Sequence, residues 1–144
     1  MHAHAVVFKN PQQFALEQLA LPEVGDEDIQ IAVEYSGIST GTERLLWDGS
    51  MPPFPGMGYP LVPGYETVGR VTQVGSKAKL ELGQRVFVPG ASCFEGVRSL
   101  FGASASCLVT HHARVMPVSE SLGSQAVLLA LAATAYHAVS MGGK

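Results

Sequence analysis

The sequence is short of charge, of cysteine and of any basic tract, and each shortage removes a class of function. Nine Lys and Arg stand against twelve Asp and Glu, for a formal net charge of −3 with no basic run. That leaves no electrostatic footprint for nucleic acid. The two cysteines, Cys93 and Cys107, have no close-spaced partner, so neither a disulfide framework nor a zinc knuckle is indicated, and a reduced, cytoplasmic setting is expected. The opening MHAHAVVF lacks the positive flank and apolar run of a signal peptide. The longest apolar run, Ala126 to Ala133, is far short of the roughly 20 residues that cross a bilayer, so no membrane span and a soluble protein are expected. With 47% hydrophobic residues in 144, the chain has an ordinary-to-apolar globular composition, enough for one domain with a real core.

What the sequence has instead is one unusual stretch, SGISTGTERLLWDGSMPPFPGMGYPLVPGYE, from Ser36 to Glu66. Pro52, Pro53, Pro55, Pro60 and Pro63 punctuate it, and Trp47, Phe54 and Tyr59 are interleaved. Such punctuation marks a long excursion of turns, and its aromatics argue against disorder. Ser39, Thr40, Thr42 and Glu43 gather at one end, Tyr65 and Glu66 at the other. A long ordered loop of this kind is usually functional, which makes it the candidate site.

Around it the pattern is of short strands. Ala3 to Phe8 predicts a first strand ended by Asn10-Pro11, and Phe14, Leu16 and Leu19 a second leading to Pro22. After the acidic turn at 25–28, Ile29, Ile31, Val33 and Tyr35 alternate with polar residues, predicting one buried and one outward face. Thr67 to Val74 predicts a strand whose Gly69 marks a bulge or the close approach of another backbone. Val86 to Val88, Ser106 to Thr110 and Arg114 to Met116 predict further strands, separated by a glycine-rich loop over Pro89 to Gly102. The set favours a partly closed antiparallel barrel or sandwich. The end differs: Ser124 is the expected N-cap of an alanine- and leucine-rich helix to about Ser140, closed by Gly142. Apolar residues surround that helix, so burial is expected, against the barrel or against a domain outside this chain.

Three segments carry a resemblance. Gly37-Ile38-Ser39 through Glu43, Pro63-Gly64-Tyr65-Glu66-Thr67-Val68-Gly69-Arg70-Val71, and Gly83-Gln84-Arg85-Val86 are similar in order and spacing to the spine of the GroES-like catalytic domain of medium-chain dehydrogenases/reductases. The resemblance covers most of the chain. It implies a mainly β, partly open antiparallel barrel with a C-terminal helix over residues 1–144, and a nicotinamide-dependent dehydrogenase acting on an alcohol. The text from Ser36 to Trp47 and from Met51 to Pro60 resembles the branch of that family that oxidises a hydroxyethyl side chain of a bacteriochlorophyllide-type tetrapyrrole to acetyl.

The departures bear on the chemistry. Where the family places a zinc-binding Cys and His, this sequence has Ser39 and Tyr65; the third ligand position falls at about Ala130, and the four-cysteine lobe is missing. Zinc wants thiolate, imidazole or carboxylate, so no zinc is expected. General base catalysis is then the replacement. The catalytic candidates are Tyr65, Glu66, Ser39, Thr40 and Glu43: the phenol as acid or base, the hydroxyls positioning the substrate oxygen, and either carboxylate as the base. Substrate-binding candidates are Arg44 for a pigment carboxylate, Trp47, Met51, Phe54, Met57 and Tyr59 as an adaptable apolar surface, and His137 as a relay on the terminal helix. Plainer roles stand beside these. Tyr65 fills space with its hydroxyl satisfied by a backbone group; Glu66 ties the loop to Arg70 or a backbone N–H; Ser39 and Thr40 are turn residues; His137 is a core histidine; the loop aromatics form a self-packed lid. His111-His112 read as surface residues.

Gly56-Met57-Gly58 sits among prolines with no following helix, so it fails as a dinucleotide fingerprint. The resemblance implies that NAD is bound mainly by a Rossmann domain absent from this chain, and that the chain alone has little activity. Dimerisation through the terminal helix, or use of that face by the other domain, is also expected. Two other functions share the pattern: a zinc-free quinone or enone reductase domain, and a non-catalytic module binding pigment or a partner.

Overall fold

The computed structural model describes residues 1–99 and 101–142; Leu100 of the glycine-rich loop and the terminal Gly143-Lys144 lie outside the described residues. Among the described residues, seven strands and two α-helices follow in order: β1 (His2–Asn10), β2 (Gln13–Ala20), β3 (Asp28–Ser36), α1 (Thr42–Asp48), β4 (Thr67–Val74), β5 (Arg85–Val88), β6 (Cys107–His111), β7 (Met116–Pro117) and α2 (Leu129–Gly142). β1 and β2 form an antiparallel hairpin, and the other strands form a five-stranded antiparallel sheet in the order β6-β3-β4-β5-β7. Isolated bridges from Ala5 to Ala105 and from Phe8 to Leu61 lean the hairpin onto the rest. The result is the expected open antiparallel arrangement with a helix at its end.

β1 shows how the sequence serves two interiors at once. Side chains alternate along a strand, and Ala3, Ala5 and Val7 enter the main core with Ile29, Ile31, Val71, Val86, Val88 and Leu108. On the other face Phe8 joins Leu46 of α1 and Leu61 in a smaller cluster. β3 keeps the predicted alternation only in its first half. Ile29 and Ile31 are buried, but Val33 is half-buried and Tyr35 exposed. The cause is a register shift against β4 between Val33 and Tyr35, since a bulge turns the following side chains off the buried face. Gly69 lies at that shift, as its place in the strand predicted. A Cβ there would come within 2.3 Å of the Ala32 carbonyl oxygen.

Three expectations are corrected. Residues 42–48 are helical within the stretch read as turns; seven residues are too few to show a helical period. The strand over Arg114 to Met116 is instead a 3-10 turn, His112–Arg114, before the two-residue β7. The His111 ring closes that turn by accepting the Ala113 N–H at 3.1 Å. The terminal helix begins earlier and is not buried. Ser119, not Ser124, caps a 3-10 run over Glu120–Leu128, its Oγ accepting the Ser121 N–H at 3.2 Å. That run is broken at Gly123 before α2 continues.

Side chains on the sheet fix this geometry. Arg85, buried, donates from Nε to Glu34 at 2.8 Å, and from its terminal nitrogens to the Ser119 and Gly123 carbonyls at 3.3 and 2.7 Å. Arg70 holds Glu120 through two 2.7 Å bonds and Glu34 at 2.6 Å. The apolar contact centres on buried Val68, Phe87 and Ala126 and reaches the half-buried Leu129 and Ala130 at the start of α2. Beyond it α2 has no buried residue, so the barrel does not cover it. By length and composition alone the 23 residues from Glu120 to Gly142 are apolar enough to cross a bilayer, which the shorter run at 126–133 did not suggest. Their first turn is nonetheless tied to the sheet by Arg70 and Arg85.

Candidate active site

The short helix α1 aims the site. Its first turn is closed by Ser39, whose carbonyl accepts the Glu43 N–H at 3.1 Å and whose Oγ accepts the Thr42 N–H at 3.4 Å. Gly49, in a left-handed conformation, ends it. Leu46 is driven into the Phe8–Leu61 cluster. With that face buried, residues three and four apart share the next face, and Thr40, Glu43, Arg44 and Trp47 all line one cleft of 560 Å³. Trp47 packs edge-on against Phe8 and Phe14, with ring centroids 5.8 and 5.6 Å apart. Such edge-to-face contacts hold aromatic walls in place. Val6, Ile38, Pro63 and Ser104 complete the lining with Ser39. A mostly apolar cleft results, with Ser39, Thr40, Glu43, Arg44 and Ser104 as the polar part of its lining.

Glu43 lines this cleft, and Glu66, outside the lining, lies close enough for its charge to act on it. Glu43 is 6% exposed and Glu66 3%. Among the described residues, Oε2 of Glu43 and Oε1 of Glu66 find no hydrogen-bond partner. Burial raises the pKa of both, and the neighbouring Glu66 charge raises that of Glu43 further. Desolvation disfavours the charged form of a carboxyl, and a like charge does the same. Gly37 makes room for the pair: a Cβ at this position would lie 2.5 Å from Oε2 of Glu66, and the Gly37 N–H donates to the Glu66 carbonyl at 2.7 Å.

The predicted site residues divide. Ser39, Thr40, Glu43, Arg44 and Trp47 come together in the cleft. Tyr65 approaches from behind α1: its hydroxyl donates to Thr42 Oγ1 at 3.2 Å, and its ring tilts against Phe101 at 4.9 Å. The phenol is thus satisfied by a side chain rather than by backbone. Glu66 does not tie the loop to Arg70, which is held by Glu34 and Glu120. Met51, Met57 and Tyr59 turn away from the cleft and pack on Phe8, Leu46 and Leu61; the Tyr59 hydroxyl donates to the Leu46 carbonyl. Phe54 is exposed at the loop surface, and His137 is exposed on α2 rather than buried as a core histidine. Met51, Met57 and Tyr59 therefore support α1 instead of lining the cleft, because the apolar backs of α1 and Leu61 need covering.

Sequence reasoning missed Val6, Phe8 and Phe14. A usable signal was there: β1 is apolar at both even and odd positions from Ala5 to Phe8, so both its faces need cover. The positions that carry zinc in the resembling family hold neutral hydroxyls here. Ser39 Oγ accepts the Thr42 N–H, and the Tyr65 hydroxyl donates to Thr42 Oγ1. This donor set does not fit zinc. Gly56 and Gly58 lie in irregular chain with no helix directly following.

Residues 25–140 match the family described as the alcohol dehydrogenase GroES-like domain. The 2-desacetyl-2-hydroxyethyl bacteriochlorophyllide A dehydrogenase of Rhodobacter capsulatus is 47% identical over 141 residues, 97% of this chain and 45% of that protein. The protein of the same name from Cereibacter sphaeroides is 46% identical over 97% of this chain and 46% of its own length. The chain thus spans about half the length of the curated relatives it matches. Among solved structures, a cinnamyl alcohol dehydrogenase of Sorghum bicolor superposes with a TM-score of 0.82 at 23% identity, over 99% of this chain and 48% of that one. It shares the fold.

Proposed function

Because the chain belongs to the alcohol dehydrogenase GroES-like domain family, we propose that it is the substrate half of a zinc-independent, NAD-dependent dehydrogenase. Its substrate is the hydroxyethyl side chain of a bacteriochlorophyllide-type pigment, oxidised to acetyl. The names of its relatives support this reading. The observation that carries it is the unpartnered, buried oxygen of Glu43, a residue in the lining of an aromatic cleft.

In such an oxidation the hydroxyl-bearing carbon loses a hydride, the hydroxyl loses a proton, and the C–O bond becomes a carbonyl. NAD supplies the hydride acceptor when it is held by a cofactor domain outside residues 1–144. The residues of this chain handle the proton and the pigment. Glu43 accepts the hydroxyl proton on Oε2, and its raised pKa brings it nearer the neutral range where a general base works best. Glu66, beside it, makes the protonated pair stable. Ser39 and Thr40 orient the substrate oxygen from the cleft wall, and Tyr65 holds Thr42, and with it the first turn of α1. Phe8, Phe14 and Trp47 wall the cleft that takes the reacting edge of the pigment. Arg44 lines the same cleft, where its guanidinium would meet a pigment carboxylate.

The test is Glu43→Gln in the protein joined to its cofactor domain. Loss of a general base is expected to lower kcat about 100-fold or more, with pigment affinity kept. Unchanged kcat would remove Glu43 from the chemistry. Turnover of an enone in place of the alcohol would move the domain to the reductase reading.

A further inference from the structure

The cleft at Glu43 continues into a second hollow. A space of 310 Å³ adjoins it and shares Val6, Ile38 and Ser104 with it. The two form one groove divided by a ridge at Val6 and Ile38, with His4 lining the second part. Strand geometry explains the placement. Side chains on β1 alternate, so His4, Val6 and Phe8 stand on one face, opposite Gln18, Leu16 and Phe14 of β2. Phe14 and Leu16 are 64% and 69% exposed. The hairpin therefore presents a flat apolar platform, about 13 Å from His4 to Phe8 at roughly 3.3 Å per residue, with one imidazole rising from its far part.

The donors around this second hollow are unequal. The Ser36 hydroxyl lies 3.1 Å from that of Thr67 and 3.4 Å from that of Ser104. Ser106 Oγ accepts the His4 N–H at 3.0 Å, and the Ser106 N–H donates to the His4 carbonyl at 2.8 Å. The serine hydroxyls are already engaged. His4 is anchored by its backbone, and its side chain is exposed.

We propose that His4 is the axial ligand to the magnesium at the centre of the bound pigment, and so a determinant of which tetrapyrrole enters and how it lies. The proposal rests on the pigment reading above. A bacteriochlorophyllide is a magnesium bacteriochlorin, whose four ring nitrogens hold the metal in plane and leave an axial position open. Free Mg²⁺ prefers oxygen donors, but the ring-bound ion accepts an imidazole nitrogen, and His4 brings one to this hollow. With the metal above His4, the rim of the macrocycle extends along β1 toward the ridge at Val6 and Ile38. Beyond that ridge lies Glu43. One coordinate bond thus sets the distance from ring centre to reacting side chain, and a pigment without metal loses that register.

The experiment is an absorbance titration of this chain with the 3-hydroxyethyl magnesium bacteriochlorin and with the same pigment freed of magnesium by acid. His4→Ala is compared with wild type, and His2→Ala, one row farther out on the same strand face, is the control. The magnesium pigment is expected to bind about tenfold more tightly than the metal-free one and to show the visible-band shift of axial ligation. His4→Ala is expected to abolish the shift and the preference while leaving metal-free binding unchanged; His2→Ala is expected to change neither. A shift that survives His4→Ala, or equal weakening of both pigments, overturns the ligand role and leaves the pigment reading standing. Binding of neither pigment to wild type overturns both.

Discussion

Glu43 and Glu66 carry opposing consequences for stability and for chemistry. Their carboxyls titrate above the ordinary value because burial, and for Glu43 the neighbouring Glu66, disfavours charge. A raised folded-state pKa means that the native chain binds protons more tightly than the unfolded one. Their effect on stability is therefore most favourable below the unfolded value of about 4.5. It is lost as pH rises through the raised folded values, and neutral solution holds the destabilised state. Glu66→Gln removes that penalty while keeping the shape. The variant is expected to melt about 3 °C or more above wild type at pH 7, with the gap closing near pH 4, as followed by circular dichroism. A gap that persists unchanged at pH 4 would show that charge burial is not its source. Gly37→Ala should act through the same residue, since its Cβ would meet the Glu66 carboxylate. The motif residues around this pair were legible in the sequence because each has a spacing; that their carboxylates stand unpartnered was not, because satisfaction depends on the whole neighbourhood.

At the scale of elements, the polar cluster on the sheet decides where the last helix starts. Arg85 is 4% exposed and bonds Glu34 on β3 and two carbonyls at the start of the 3-10 run. Arg85→Ala would take this donor from the Ser119 and Gly123 carbonyls, while Glu34 would keep Arg70. The expected loss is about 3 kcal/mol, the low end for breaking a buried pair, because Glu34 still reaches water. Urea unfolding measures it, and a loss under about 1 kcal/mol, the range of a surface ion pair, would show that the apolar contact of Ala126 alone seats the helix. The sequence shows the Gly-x-Arg-Val text and the strand that follows, but not that its arginine crosses to residues 119–123. This is also why Ser124 looks like a cap and is not one: the helix start is set by contacts 34 and 38 residues away in sequence. Strands β1 to β6 were legible because alternation and turn residues are local signals, whereas α1 is too short to display a period and is held by Leu46 against Phe8 and Leu61. The same distance effect hid the slot, since Phe14 meets Trp47 only once the hairpin is folded onto α1.

At the scale of the whole molecule, the proposed reaction needs more than this chain shows. The slot is open, and α2 exposes Leu131, Tyr136, Val139 and Met141 without a covering element among the described residues. The matched relatives extend over about twice this length. We infer that a cofactor half packs on α2 and brings the hydride acceptor to the slot beside Glu43. Hydride transfer depends on both reactants being held in contact. Effective molarities for such positioning reach about 10⁵ M and more, so a chain that holds only the pigment forfeits most of the rate. Residues 1–144 alone are therefore expected to bind the hydroxyethyl pigment saturably yet show no turnover with NAD, measured by acetyl formation in the pigment spectrum. Supplying the cofactor half should restore turnover. It should also reduce self-association of the isolated chain seen by sedimentation, because the same apolar face of α2 would then be covered. Turnover by the isolated chain would mean that the acceptor site lies within residues 1–144. Binding without turnover even after the cofactor half is restored would identify a pigment carrier built on a dehydrogenase fold.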